Sequence, residues 1–111
     1  MAKVAEIVEK LNLKLVAGNE GLQNVITTGY TSDLLSDVMG NIKSQSVWVT
    51  MQTHKNVMAV ASLKDVSAVV IVNGYAPEDD LIEQSNAEDI PLLVTEDTAF
   101  DISAKIYELI K

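Results

Sequence analysis

Three stretches in the second half of the chain repeat one order of apolar and polar positions: an apolar run, a short polar turn, then a segment with helical spacing. They are residues 47–51 into 52–56, 68–72 into 73–77, and 91–94 into 95–98. Strands that alternate with helices predict a parallel sheet, and such a sheet gathers the turns after its strands along one edge, where ligands bind. Residues 68–72 are apolar throughout, as a strand covered on both faces requires, and are the predicted central strand. Val47, Trp48 and Val49 form a β-rich run, and Val57, Val60 and Ala61 fit the inner face of the helix that follows. Pro91 opens the last strand, where a missing amide is tolerated.

The first half is less regular. Val4, Ile7, Val8 and Leu11 share one helical face, so the first ten or so residues read as an amphipathic helix ended by Asn12. Residues 13–17 read as a short strand and residues 18–21 as a turn, and Leu22, Val25 and Ile26 resume an extended, half-buried pattern. Thr31 and Ser32 ahead of Asp33, Leu34, Leu35 and Val38 give a capped helix start with an acid in its first turn, and Gly40 suits its stop. Pro77 with Glu78, Asp79 and Asp80 opens a further helix, whose buried side carries Leu81 and Ile82. Thr98 and Asp101 have capping-box spacing, with Asp in place of Glu or Gln. Ile102, Ile106, Leu109 and Ile110 make the closing helix amphipathic, fit to pack on the sheet or to form a subunit contact. The predicted fold class is α/β, a three-layer α/β/α sandwich with a mainly parallel central sheet, formed as one domain over residues 1–111.

Composition narrows the function. A chain of 111 residues that is 48% apolar can remove about two-thirds of its surface from water on folding. A formal charge of −8, with no cluster of Lys and Arg, argues against nucleic acid and anionic membrane as partners. The chain contains no cysteine, which excludes disulfides, thiolate metal sites and a cysteine nucleophile, and fits a reducing compartment. Lys3, Glu6, Glu9 and Lys10 interrupt the N-terminal segment, so no signal peptide or membrane span is read there and a cytoplasmic location is expected.

Candidate chemistry concentrates in the three turns. His54, the single histidine, stands beside Lys55 at the predicted start of a helix, a place that suits an anion contact as well as an ordinary surface histidine. Without a second histidine or a cysteine, a transition-metal site is not expected. Asn73 and Gly74 tolerate positive φ and allow a sharp turn, which either brings the backbone close to a ligand or simply joins strand to helix. Glu96 and Asp97 follow the last strand and could serve magnesium or acid–base work, or cap the next helix in solvent. No Gly-x-x-x-x-Gly-Lys-Ser/Thr loop and no Gly-x-Gly-x-x-Gly fingerprint is present, which argues against an autonomous kinase, ATPase or dinucleotide enzyme. The residues expected to meet a ligand are Thr50, Gln52, Thr53, His54, Asn73, Gly74 and Thr95; no cofactor and no catalytic residue is expected.

Three segments carry a family resemblance: Leu13-Lys-Leu-Val-Ala-Gly-Asn-Glu-Gly-Leu-Gln-Asn-Val-Ile-Thr27, Val69-Val-Ile-Val-Asn-Gly-Tyr-Ala-Pro77 and Ile90-Pro-Leu-Leu-Val-Thr95. In these and in their order the chain resembles the DRTGG domain family, and also the N-terminal domain of HPr kinase/phosphorylase. In that family an Asp-Arg pair follows one strand and a Thr-Gly-Gly the next; here those positions fall on Met51-Gln52 and Val72-Asn73-Gly74, and only Gly74 is retained. The resemblance implies an α/β/α fold and a regulatory or accessory role without kinase activity, since the catalytic half of HPr kinase holds the phosphate loop. Three functions follow as expectations: a homodimeric, non-catalytic module that contacts a partner protein; a sensor of a phosphorylated or nucleotide ligand at the strand edge; and a small enzyme using His54 with Glu96 or Asp97.

Overall fold

The computed structural model describes residues 2–111; Met1, part of the predicted first helix, lies outside the described residues. The strands are β1 (Ala2–Lys3), β2 (Lys14–Ala17), β3 (Val25–Ile26), β4 (Thr28–Thr31), β5 (Ser46–Thr50), β6 (Ala68–Ile71) and β7 (Leu92–Val94). The helices are α1 (Val4–Lys10), α2 (Leu35–Asn41), α3 (Asn56–Leu63), α4 (Asp79–Glu88) and α5 (Ala99–Ile110). Five strands make the central sheet in the order β2-β7-β6-β5-β4. The pairs β4 with β5, β5 with β6 and β6 with β7 are parallel, and β2 alone runs antiparallel, against β7. β6 is the middle strand and is buried at every residue, as its unbroken apolar run predicts.

Strand side chains alternate in direction and so divide the core in two. Trp48, Val69, Ile71 and Leu92 point to one face, where Val38 of α2, Val57, Met58 and Ala61 of α3, and Leu81 of α4 cover them. Val47, Val49, Val70 and Leu93 point to the other, beneath Val4 and Ile7 of α1 and Ile102 and Ile106 of α5. Each fully buried aliphatic side chain contributes about 1.5–3 kcal/mol. Helices therefore lie on both faces of a mainly parallel sheet, which is the α/β/α sandwich expected.

The first half departs from its predicted elements. The N-terminal helix begins only at Val4, because Ala2 and Lys3 pair antiparallel with Ile26 and Val25. Thr31 is the last residue of an unforeseen strand, β4, and α2 begins at Leu35, so the Thr31-Ser32 cap is replaced by a short loop. β4 escapes the apolar pattern because it is an edge strand of sequence Thr-Gly-Tyr-Thr, half-exposed along its length. Pro77 stands just outside α4, whose cap is Glu78. Thr98 does cap α5, accepting a hydrogen bond from the Asp101 amide at 3.3 Å.

Gly40 does not end α2 as a left-handed residue; it lies inside the last turn, and a Cβ there would meet nothing within 4 Å. Helical glycine carries an entropy cost that alanine does not. Gly40→Ala is therefore expected to stabilise the fold by about 0.5–1 kcal/mol. A thermal melt should rise by a few degrees, and a fall would contradict this placement.

Candidate functional site

The carboxyl ends of β5, β6 and β7 bring the three turns to one edge of the sheet. Backbone bonds tie them together: Val72 N to Thr50 O at 3.1 Å, Gly74 N to Thr95 O at 2.9 Å, Asn73 N to Asp97 O at 2.9 Å and Glu78 N to Thr53 O at 2.9 Å. Thr50, Gln52, Thr53, His54, Asn73, Gly74 and Thr95 are thus gathered along this edge, as their positions after the strands predict.

Several of them are engaged within the protein. Thr50 is 1% exposed. Its hydroxyl donates to Asp33 Oδ1 at 2.9 Å, and Gln52 Nε2 donates to the Asp33 carbonyl at 3.0 Å. The amides of Asn73, Gly74 and Tyr75 all donate to carbonyls of the same edge, so this turn offers no anion-binding nest. Gly74 has φ +68°, and the space its missing Cβ would fill is occupied by the Glu96 carboxylate rather than left open. Thr95 Oγ1 accepts from the Asp97 amide at 3.2 Å.

The acids divide similarly. Asp97 pairs with Lys105 of α5 at 2.8 Å, and this hydrogen bond, with its charge, raises the Lys105 pKa above its ordinary value. Among the described residues His54 forms no hydrogen bond with Glu96 or Asp97. Nor do three or more His, Asp or Glu groups converge to hold a metal there. Beyond the edge, Tyr30 of β4 donates to Asp37 of α2 at 3.0 Å; hydrogen bonds from Ser32 and Tyr30 lower the Asp37 pKa, and burial, then Asp37, raises that of Tyr30.

The residue that organises the first turn is Asp33. Its Oδ1 accepts from both Thr50 Oγ1 and the Met51 amide, the latter at 2.7 Å, while Trp48 Nε1 donates to the neighbouring Ser32 carbonyl at 2.9 Å. The loop after β4 is thereby fastened to the loop after β5. An acid two residues before a helix looks in sequence like a dipole partner, and only the pairing of β4 beside β5 reveals its other role. Asp33→Ala leaves a buried hydroxyl and an amide without their charged acceptor, and is expected to cost about 1.5–3 kcal/mol. Asp33→Asn keeps one acceptor oxygen and should lose less; equal melting temperatures for wild type and Asp33→Ala would contradict the role.

The groups that remain at the surface of this end are mixed in character. Leu34, Met51 and Tyr75 are exposed, with His54 half-buried and Lys55 exposed ahead of α3. Apolar and aromatic surface beside a histidine and a lysine suits contact with a ligand or protein.

Known proteins agree with this architecture. A crystal structure of the CBS and DRTGG domains of the regulatory region of Clostridium perfringens pyrophosphatase, complexed with its activator diadenosine tetraphosphate, superposes with a TM-score of 0.76. The identity is 16%, and the match covers 92% of this chain and 44% of that one, so this chain spans less than half its length. At that identity the likeness is one of fold. No curated protein matches the sequence. The sequence pattern of the DRTGG domain matches residues 6–109, nearly the whole chain, and the protein therefore belongs to the DRTGG domain family.

Proposed function

We propose that the chain is a non-catalytic regulatory or accessory module, cytoplasmic and homodimeric, that acts through contact with a protein partner and by binding a small anionic ligand. The observation that carries this reading is the internal engagement of the polar groups at the strand edge. Asp33, Thr50, Gln52 and Asp97 bond within the fold, and what stays exposed beside them is a surface for contact. Membership of the DRTGG family supports it, as does the regulatory region of the pyrophosphatase, whose activator is a nucleotide polyanion.

An anion at this edge would meet the side chains of His54 and Lys55, with Gln52, Thr53, Asn73 and Thr95 around it and Tyr75 and Met51 for a base to rest on. Gly74 and Thr50 would shape the floor. A thermal-shift panel of nucleotides, diadenosine tetraphosphate and phosphorylated metabolites tests the ligand. A compound present at a hundred times its Kd adds about 2.7 kcal/mol. That corresponds to a rise of about 10 °C or more in a domain of this size. His54→Ala with Lys55→Ala should abolish the shift. A flat panel at millimolar concentration removes the ligand, and turnover of any member removes the non-catalytic reading.

A further inference from the structure

We propose that Asn73 is a site of spontaneous deamidation that the fold guards, so that the reaction marks chains in which the turn between β6 and α4 has opened. Asn73 precedes Gly74, and every other asparagine of the chain precedes a residue that carries a side chain. The chemistry needs only water. The Gly74 backbone nitrogen loses its proton and attacks the Asn73 side-chain carbonyl carbon; the new C–N bond closes a cyclic succinimide, and the amide nitrogen leaves as ammonia. Water then opens the ring at one of its two carbonyls and yields aspartate or isoaspartate. A glycine in the following position favours the attack because no Cβ crowds the approaching nitrogen.

The structure both offers this site to water and restrains it. Asn73 is exposed. Yet Asn73 and Gly74 have φ of +62° and +68°, and the Tyr75 amide donates to the Val72 carbonyl at 3.2 Å, which closes a tight turn of the primed kind. The Gly74 amide itself donates to the Thr95 carbonyl at 2.9 Å, and the Asn73 amide to the Asp97 carbonyl at 2.9 Å. The nucleophile is thus the hydrogen-bond donor that fastens this turn to the next one. It must give up the Thr95 carbonyl and swing toward its neighbour's side chain before the ring can form. The clamping loop is held in turn by the ion pair of Asp97 with Lys105 at 2.8 Å. Reaction is therefore confined to the opened fraction of molecules, and its rate follows the population of that fraction.

The change runs one way. Isoaspartate carries the former side-chain methylene in its backbone, which shifts the Gly74 amide away from the Thr95 carbonyl. Either product replaces a neutral amide by a carboxylate next to Gly74, against whose backbone the Glu96 carboxylate already lies. Two like charges at this turn repel. A converted chain closes the clamp less readily than the chain from which it came.

Peptide mapping by mass spectrometry tests this on the full chain, incubated at mildly alkaline pH either folded in buffer or unfolded in guanidinium chloride. In the unfolded chain Asn73 is expected to convert first, with isoaspartate among the products, and in the folded chain at least about tenfold more slowly. Gly74→Ala, followed in the unfolded chain so that its folding does not enter, should slow the conversion markedly. The same opening governs exchange of the Gly74 amide proton, which should be slow in the native protein by NMR. Equal rates in the folded and unfolded chains, or fast exchange at Gly74, overturn the guard. Earlier conversion of another asparagine in the unfolded chain, or an unchanged rate in Gly74→Ala, overturns the site.

Discussion

Trp48→Ala is expected to cost about 3–5 kcal/mol, the usual range for removing a fully buried tryptophan. Trp48 has no exposed surface and sits in β5, between β4 and β6, facing the α2, α3 and α4 side of the core. A domain of this size is typically stable by only about 5–15 kcal/mol. The substitution thus removes a large fraction of the total, and the melting temperature should fall by about 15 °C or more. Two effects add: the cavity left among Val38, Val57 and Val69, and the Ser32 carbonyl that loses its Nε1 donor. Trp48→Phe separates them, since it fills most of the cavity but still orphans the carbonyl. Urea unfolding followed by circular dichroism should give the order wild type, Phe, Ala with a similar slope throughout. A loss below about 1.5 kcal/mol for the alanine variant would mean the core collapses around the site far more easily than its packing implies.

Gly18→Ala is the second large effect. Gly18 adopts φ +79° and ψ 31° ahead of the short 3₁₀ turn Asn19–Gly21, and its amide donates to Asn86 Oδ1 at 2.8 Å. A Cβ at this position would press into the Ile90 carbonyl and the Pro91 Cα, which are backbone atoms of the segment leading into β7. The left-handed conformation costs an alanine about 1–2 kcal/mol. Forcing the two segments apart adds about 1–3 kcal/mol. Gly74→Ala makes a sharp comparison, because its φ is also positive, at +68°, but the obstacle is the end of the Glu96 side chain. That carboxylate can swing away, so Gly74→Ala should cost about 1–2 kcal/mol, the backbone part alone. Chemical denaturation of the two variants should rank Gly18→Ala clearly below Gly74→Ala; the reverse order would contradict the distinction between backbone and side-chain obstacles.

The sequence announces the parts of the fold whose burial is uniform. Residues 68–72 read as a central strand because both their faces are covered, and α5 reads as a helix because Ile102 and Ile106 recur at its period. β4 stays silent for the opposite reason: its outer edge is free, and Thr28, Gly29, Tyr30 and Thr31 are not selected for burial. Missing β4 also misplaces the start of α2 and hides Asp33, whose partners Thr50 and Met51 are far away in sequence and adjacent only once β4 lies beside β5. The seven edge residues are legible by position, since a turn after a parallel strand must face that edge. What each does there is not legible, because it depends on which hydrogen bonds the neighbouring turns have already supplied.

The pairing of β2 with β7 also governs how the chain is made. β2 touches no other strand of the sheet, and Lys14 lies opposite Val94, with most of the polypeptide between them. A nascent chain emerging from the ribosome therefore holds its second strand without a partner until β7 leaves the exit tunnel, while β4, β5 and β6 can already assemble in order. Contacts this distant close slowly and leave apolar surface uncovered in the interval. The domain fastens only as its last strand arrives, so the pace of synthesis sets how long residues 14–17 stand open to solvent and to chaperones.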